Sequence, residues 1–173
     1  MSARRNIEIK ARVDSLDRVR RIALPIATAR LGVLEQTDTF FACSSGRLKV
    51  RQFADGTAEL IAYQRADTPQ AKSSDYHLVP LEDDTALTAA LASSLGVTQV
   101  VRKRREVFLY HNVRIHLDQV EGLGDFLELE SVVAPDVDEA VARKRLAEAM
   151  DHLAVKSADL LDSAYADMLA ASS

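Results

Sequence analysis

The chain has 173 residues, 47% of them hydrophobic and 28% charged, which is enough for one folded domain with a real core and too little for two. Its formal net charge of −4 gives no basis for a nucleic-acid binder held by bulk positive charge. No apolar run approaches the roughly 20 residues needed to span a bilayer, residues 1–10 lack the apolar stretch of a signal peptide, and the single cysteine excludes an internal disulfide. The expectation is a cytoplasmic, single-domain protein with no membrane segment, in which Cys43 is a small buried apolar residue.

In chain order, residues 6–13 alternate polar and apolar, the period-two pattern of a strand. Asp14 or Ser15 offers an N-cap for a helix on which Leu16, Val19, Ile22 and Ala23 recur at helical spacing. Pro25 interrupts or kinks that helix, and Gly32 closes the segment. Strands are predicted at 33–43, 47–53 and 58–65, with turns at Ser44-Ser45-Gly46 and Asp55-Gly56. Residues 66–74, with Asp67, Pro69 and Lys72, read as a surface loop, and 75–81 as another strand. A helix over 83–95, capped by Asp83 or Asp84, ends at Gly96. Three alternating runs follow at 98–110, 112–121 and 125–133, stopped by Pro135. Residues 136–152 turn helical again, and Ser157 caps a last helix reaching Met168. The plan is α+β, with an antiparallel sheet.

The polar faces of these strands carry the functional signal. Side chains two apart share a face of a strand. One face therefore carries Asn6, Glu8, Lys10 and Arg12; others carry Arg47, Lys49 and Arg51; Lys103 and Arg105; Arg114, His116 and Asp118; Glu128 and Glu130. An ordinary solvated sheet would also put polar residues outside, but it usually interleaves both signs, and consecutive like charges repel. Opposite faces are apolar, with Leu48 and Val50, Ile115 and Leu117, Leu127 and Leu129. A sheet charged inside and apolar outside needs helices over its outer face, and about eight strands leave room for a ligand in a barrel lumen. Basic side chains pair with phosphate oxygens, while carboxylates beside phosphate require a hard cation between them. The combination describes a metal–polyphosphate site. Phosphate-loop, dinucleotide, zinc and serine-hydrolase motifs are absent from the sequence.

In order along the chain, these residues resemble the CYTH family of triphosphate tunnel metalloenzymes, which includes class IV adenylate cyclases and thiamine triphosphatases. Asn6-Ile7-Glu8-Ile9-Lys10 is similar to the family's Glu-x-Glu-x-Lys strand, with Asn6 in place of the first Glu. Gln36 to Phe41 looks like its second strand, Leu48-Lys49-Val50-Arg51 like its Leu-Arg-x-Arg strand, and Val101 to Arg105 like its Lys-x-Arg strand. Val113 to Asp118, through Gly122-Leu123-Gly124 to Glu130, resembles the paired strands that supply an Arg, an Asp and two Glu to the tunnel. The tail Ser163 to Leu169 is similar to the C-terminal segment of the bacterial cyclase-like branch.

The resemblance implies an antiparallel β-barrel tunnel of about eight strands with helices outside, and Mg²⁺ or Mn²⁺ as cofactor. It assigns Glu8, Glu128 and Glu130 as metal ligands, with Asp118 as a fourth or a supporting partner. Lys10, Arg51, Arg105 and Arg114 are the candidate catalytic residues; these four with Arg47, Lys49, Arg65, Lys72, Lys103 and His116 are the candidates for gripping the triphosphate. Arg47 begins its strand and sits at a rim; His116 orients substrate, relays a proton or is a plain hydrogen-bonded lumen histidine. Tyr165 either caps one tunnel mouth or packs the last helix. The expected substrate is a nucleoside triphosphate or another organic or inorganic triphosphate, without nucleic acid or membrane, in a chain compatible with a homodimer. Three functions follow: cyclisation of ATP to cyclic AMP and pyrophosphate, hydrolysis of a triphosphate, and binding without turnover. The Asn6 substitution keeps the third open, because a carboxamide is a poorer metal ligand than a carboxylate.

Overall fold

In the computed structural model, which describes residues 4–65, 68 and 70–172, eight antiparallel strands close into a barrel. The elements run β1 (Arg4–Arg12), α1 (Leu16–Ile26), β2 (Ala29–Phe41), β3 (Arg47–Phe53), β4 (Ala58–Arg65), β5 (Lys72–Leu81), α2 (Asp84–Leu95), β6 (Val97–Tyr110), β7 (Val113–Val120), β8 (Gly124–Val133), α3 (Glu139–His152), a short 3-10 helix (Ser157–Asp159) and α4 (Tyr165–Ser172). Around the barrel the order is β1-β5-β4-β3-β2-β6-β7-β8, and β8 pairs back to β1. The α+β tunnel expected from alternation is the fold observed.

Alternation decides what each wall contributes. Ile7 and Ile9 on β1, Phe108 on β6, Ile115 and Leu117 on β7, and Leu127 and Leu129 on β8 turn outward. They bury against Val19 and Ala23 of α1 and Ala142, Leu146 and Ala149 of α3. Each such side chain contributes roughly 1.5–3 kcal/mol when fully buried, so the main core lies between barrel and helices and leaves the lumen to polar groups. The Ser15 hydroxyl accepts from the Arg18 amide, Asp83 caps α2 through the Ala86 amide, and Asp138 caps α3 through the Val141 amide.

Several expectations change. The first helix stops at Ile26, with Pro25 in its last turn, and β2 begins at Ala29. Gly32 therefore does not close the helix; at φ 99° it sits inside β2, where the β2–β6 register shifts between Arg30 and Gly32. Lys72 lies in β5 rather than in a loop; Asp67 and Pro69 fall outside the described residues. Helix α2 lies against β2 and β3 but fully buries none of its residues, so it covers the barrel less than α1 and α3 do. Cys43 is exposed, its thiol donating to the Gly46 carbonyl at 3.2 Å. The helix expected from Ser157 is also wrong. After the 3-10 turn the chain extends, Leu160 bridges to Ala11, and the Leu161 amide donates to the Lys10 carbonyl at 2.8 Å. This segment closes one end of the barrel, and α4 follows it.

Candidate functional site

The closed end makes the tunnel a cup. Its floor is an apolar cluster in which Phe40 of β2, Val101 of β6, Val120 of β7 and Phe126 of β8 pack with Tyr165 and Ala166. Above it lies a cavity of about 540 Å³. Eight basic residues (Arg4, Lys10, Lys49, Arg51, Arg65, Lys103, Arg105, Arg114) and five acidic ones (Glu8, Asp38, Glu59, Glu128, Glu130) line it. The excess of positive charge, inside a chain that is negative overall, favours a polyanion.

One cluster centres on Asp38 of β2. Its carboxylate accepts from Lys49 Nζ at 2.7 Å, from Arg51 Nε and Nη2 at 2.7 and 2.8 Å, and from Lys103 Nζ at 3.4 Å. The pairing of Asp38 with Arg51 across β2–β3, and of Gln36 with Lys103 across β2–β6, brings these side chains together from three strands. Burial opposes ionisation of Asp38, but Arg51, Lys103 and Lys49 outweigh it and hold the carboxyl well below its usual range. Burial, then crowding by Arg105, draws Lys103 down to about 7, and burial, then Arg51, draws Lys49 down to about 8. These cations are forced together, and an arriving anion would relieve them.

A second cluster forms around Arg105 of β6. Its guanidinium donates to both Asp118 oxygens, Nε at 2.6 Å and Nη2 at 2.5 Å, and to Glu128 Oε2 at 3.1 Å. The Tyr165 hydroxyl donates to Asp118 Oδ2 at 2.8 Å, and its ring lies beneath Lys10 Nζ at 3.8 Å. Tyr165 thus both caps the cup and packs α4.

The third group is acidic. His116 of β7 and Glu128 and Glu130 of β8 place ligand atoms within 4.8 Å of one another. Register explains this: His116 pairs with Glu128, Arg114 with Glu130, and Glu130 with Glu8 across the β8–β1 seam. Burial, then the Glu128 charge, pushes Glu130 up to about 7, whereas Lys10 and Arg105 overcome burial and hold Glu128 well below its usual range. Burial, reinforced by Arg105, keeps the His116 imidazole neutral by pulling its pKa well below the ordinary value. The buried Asn6 Oδ1 and His116 Nδ1 have no hydrogen-bond partner among the described residues. Crowded carboxylates, a neutral imidazole and orphaned acceptors suit a divalent cation with oxygen and nitrogen ligands.

The lumen brings together Glu8, Lys10, Lys49, Arg51, Arg65, Lys103, Arg105, Arg114, His116, Glu128 and Glu130. Glu8 accepts from Arg65 Nη1 at 2.8 Å, which fixes Arg65 as an inward residue. Asp118 lies at the floor, engaged by Arg105 and Tyr165, and does not line the cavity. Lys72, which also does not line it, donates to the Thr68 and Asp162 carbonyls at 3.1 and 3.0 Å. Arg47 pairs with Asp167 of α4 at 2.6 Å, at the closed end. Arg12, expected on the inner face, is exposed beyond the floor, over the Phe126 ring and donating to the Leu123 carbonyl at 3.0 Å. Asp38 was not singled out from the sequence. Its signal was a carboxylate on the face shared with Gln36 and Phe40, hidden because that stretch lacks clean alternation.

Comparison with known proteins agrees with this architecture. The model of the CYTH domain matches residues 4–165. The PH1012 protein of Pyrococcus horikoshii OT3 superposes with a TM-score of 0.81 at 25% identity, covering 94% of this chain and 98% of that one. A candidate adenylate cyclase from Vibrio parahaemolyticus gives 0.74 at 21% identity, with 95% and 97% covered. HpAC1 from Hippeastrum, an adenylyl cyclase candidate described as having a dominant triphosphatase activity, gives 0.65 at 13% identity, with 96% of each chain covered. No curated protein matches the chain. With a family model matched along nearly its whole length and a closed, charge-lined barrel of eight strands, the chain belongs to the CYTH domain family.

Proposed function

We propose that the protein is a divalent-metal-dependent enzyme that binds a triphosphate in the barrel lumen and acts on it as a class IV adenylate cyclase does, converting ATP to cyclic AMP and pyrophosphate. The observation that carries this reading is the presence of a cation-rich group, Lys49, Arg51 and Lys103 around Asp38, and the acidic group His116, Glu128 and Glu130 inside one barrel lumen. Lys10, Lys49, Arg51, Lys103 and Arg105 would hold the phosphate oxygens, with Arg65 and Arg114 nearer the rim. Glu128, Glu130 and His116, with Glu8 alongside, would hold Mg²⁺ or Mn²⁺, which when bound neutralises phosphate charge and polarises the phosphorus–oxygen bonds. Fixed cations in a lumen of low dielectric stabilise charge that develops on the leaving pyrophosphate, and they need no reorganisation to do so. Tyr165 and the floor exclude water from that end. In the cyclase reaction the ribose 3′-oxygen attacks the α-phosphorus and the bond to the β-phosphate oxygen breaks.

Hydrolysis of a triphosphate is the second reading, favoured by the triphosphatase activity in the description of the Hippeastrum neighbour. The same charges would serve it, with water attacking the terminal phosphorus. The experiment is a panel of ATP, GTP, thiamine triphosphate and inorganic triphosphate, each with Mg²⁺ and Mn²⁺, with products identified. Cyclic AMP and pyrophosphate are expected from ATP; orthophosphate release moves the assignment to hydrolysis. Tight binding without turnover, together with activity gained by Asn6→Glu, makes the protein a binding module. Absence of binding in every arm overturns the reading.

A further inference from the structure

The segment that closes the barrel does more than seal it. Between Leu160 and Asp167 it engages basic residues of β1, β3 and β5 directly, and one of β6 through a carboxylate. The Leu161 amide donates to the carbonyl of Lys10 at 2.8 Å, and the Asp162 carbonyl accepts from Lys72 Nζ at 3.0 Å. Asp167 pairs with Arg47 at 2.6 Å. The Tyr165 hydroxyl donates to Asp118 Oδ2 at 2.8 Å, and Asp118 in turn holds the Arg105 guanidinium.

Tyr165 is buried and lines the cavity. Its ring centroid lies 3.8 Å from Lys10 Nζ and 5.4 Å from Lys103 Nζ. These are also the lysines whose carboxylate contacts are long: 3.6 Å from Lys10 to Glu128 and 3.4 Å from Lys103 to Asp38, against 2.7 Å from Lys49 to Asp38. Among the described residues no other lumen ring comes as near an ammonium as Tyr165 does to Lys10; Phe40 and Tyr63 stand 5.3 and 5.8 Å from Lys49. An aromatic face attracts a cation without accepting a conventional hydrogen bond from it. A carboxylate occupies the donors of an ammonium, whereas a ring leaves them to turn toward another acceptor. The base of Lys10 is fixed as well, by the bond from Leu161 to its carbonyl.

We propose that Tyr165 is a positioning residue, whose ring is a pedestal that presents the Lys10 ammonium, and more weakly that of Lys103, to a phosphate oxygen. The closing segment is then a working part of the site as well as its plug. This rests on the triphosphate reading above and names what sets the grip.

The test is calorimetric titration of the full chain with inorganic triphosphate in Mg²⁺. Wild type is compared with Tyr165→Phe and with phenylalanines carrying one, two and three ring fluorines at position 165. Fluorine draws charge from the ring face and barely changes its size. Affinity is expected to stay within about threefold in Tyr165→Phe, then to fall stepwise by about tenfold across the fluorine series, while thermal melting stays level. In a Lys10→Met background, itself weaker, the same series is expected to flatten to within about twofold. A series that is flat with Lys10 present, or that falls equally without it, overturns the pedestal and leaves the triphosphate site standing. A loss in Tyr165→Phe as large as that in Lys10→Met does the same, because it moves the effect to the hydroxyl. Failure of wild-type protein to bind triphosphate overturns both.

Discussion

Two buried carboxylates, Asp38 on β2 and Glu106 on β6, face opposite sides of the same barrel wall, and each is gripped by basic side chains. Glu106 points outward and accepts from Arg20 of α1 at 2.6 Å and Arg30 of β2 at 2.7 Å. Those two arginines are 27% and 58% exposed, so water shares their charge. Asp38 points inward, and the side chains of its partners Lys49, Arg51 and Lys103 are 11%, 14% and 3% exposed. One carboxylate stitches a helix to the barrel; the other gathers three cations that it only partly neutralises. The same chemistry is structural where solvent can complete it. It becomes a seat for an anion where solvent is excluded.

The largest test of this contrast is Asp38→Asn. Removing the carboxylate that all three cations share leaves buried charge uncompensated, which costs about 3–5 kcal/mol of folding stability. Denaturant unfolding measures this. Added triphosphate is expected to restore much of the loss, because phosphate oxygens replace the carboxylate.

Next comes Glu130→Gln, which removes one of the crowded acids rather than their counter-charge. Divalent-metal affinity is expected to fall roughly 10–100-fold, read by calorimetry, while the metal-free protein keeps its melting temperature or gains a little.

The pH dependence of metal binding is a smaller effect. Glu130, held up at about 7 by burial and Glu128, must lose its proton to act as a ligand. Affinity for Mn²⁺ is therefore expected to be about tenfold weaker at pH 6 than at pH 8, and Glu130→Gln is expected to flatten that slope. Glu130 also makes a pH-dependent contribution to the stability of the metal-free protein. Its folded-state pKa is raised above the unfolded one, so its own contribution is full below about 4.5 and is lost as pH rises through about 7, while Asp38 and Glu128, held low, act in the opposite sense at acid pH.

The smallest change is expected for Glu106→Gln: about 1 kcal/mol of stability, because its arginines turn to water, with triphosphate binding unchanged.

The sequence revealed much of this because lumen and core share strands in strict alternation. Ile7, Ile9, Ile115, Leu117, Leu127 and Leu129 mark one face as core, which leaves Glu8, Lys10, His116, Glu128 and Glu130 for the other. What alternation cannot show is height in the barrel. Arg12 and Lys10 have the same parity, yet the segment through Leu160 and Leu161 pairs alongside β1 at Lys10 and Ala11, and Arg12 lies exposed beyond the floor. That pairing joins positions about 150 apart along the chain, as between Ala11 and Leu160, so no local pattern announces it. Lys72 was misplaced for a related reason: a polar Lys-Ser-Ser-Asp stretch becomes strand only because β1 and β4 lie on either side of β5. Asp38 shows the same limit, since its partners lie 11, 13 and 65 positions away.

The most direct measurement of the central claim is calorimetric titration of the protein with ATP analogue and inorganic triphosphate, with and without Mg²⁺ or Mn²⁺, beside the inner variant Arg51→Met and the outer variant Arg20→Met. The account predicts one triphosphate per chain, tightened by the cation, lost with Arg51 and kept without Arg20. Binding that ignores the metal, or that weakens equally in both variants, would contradict a polyphosphate seat inside the barrel.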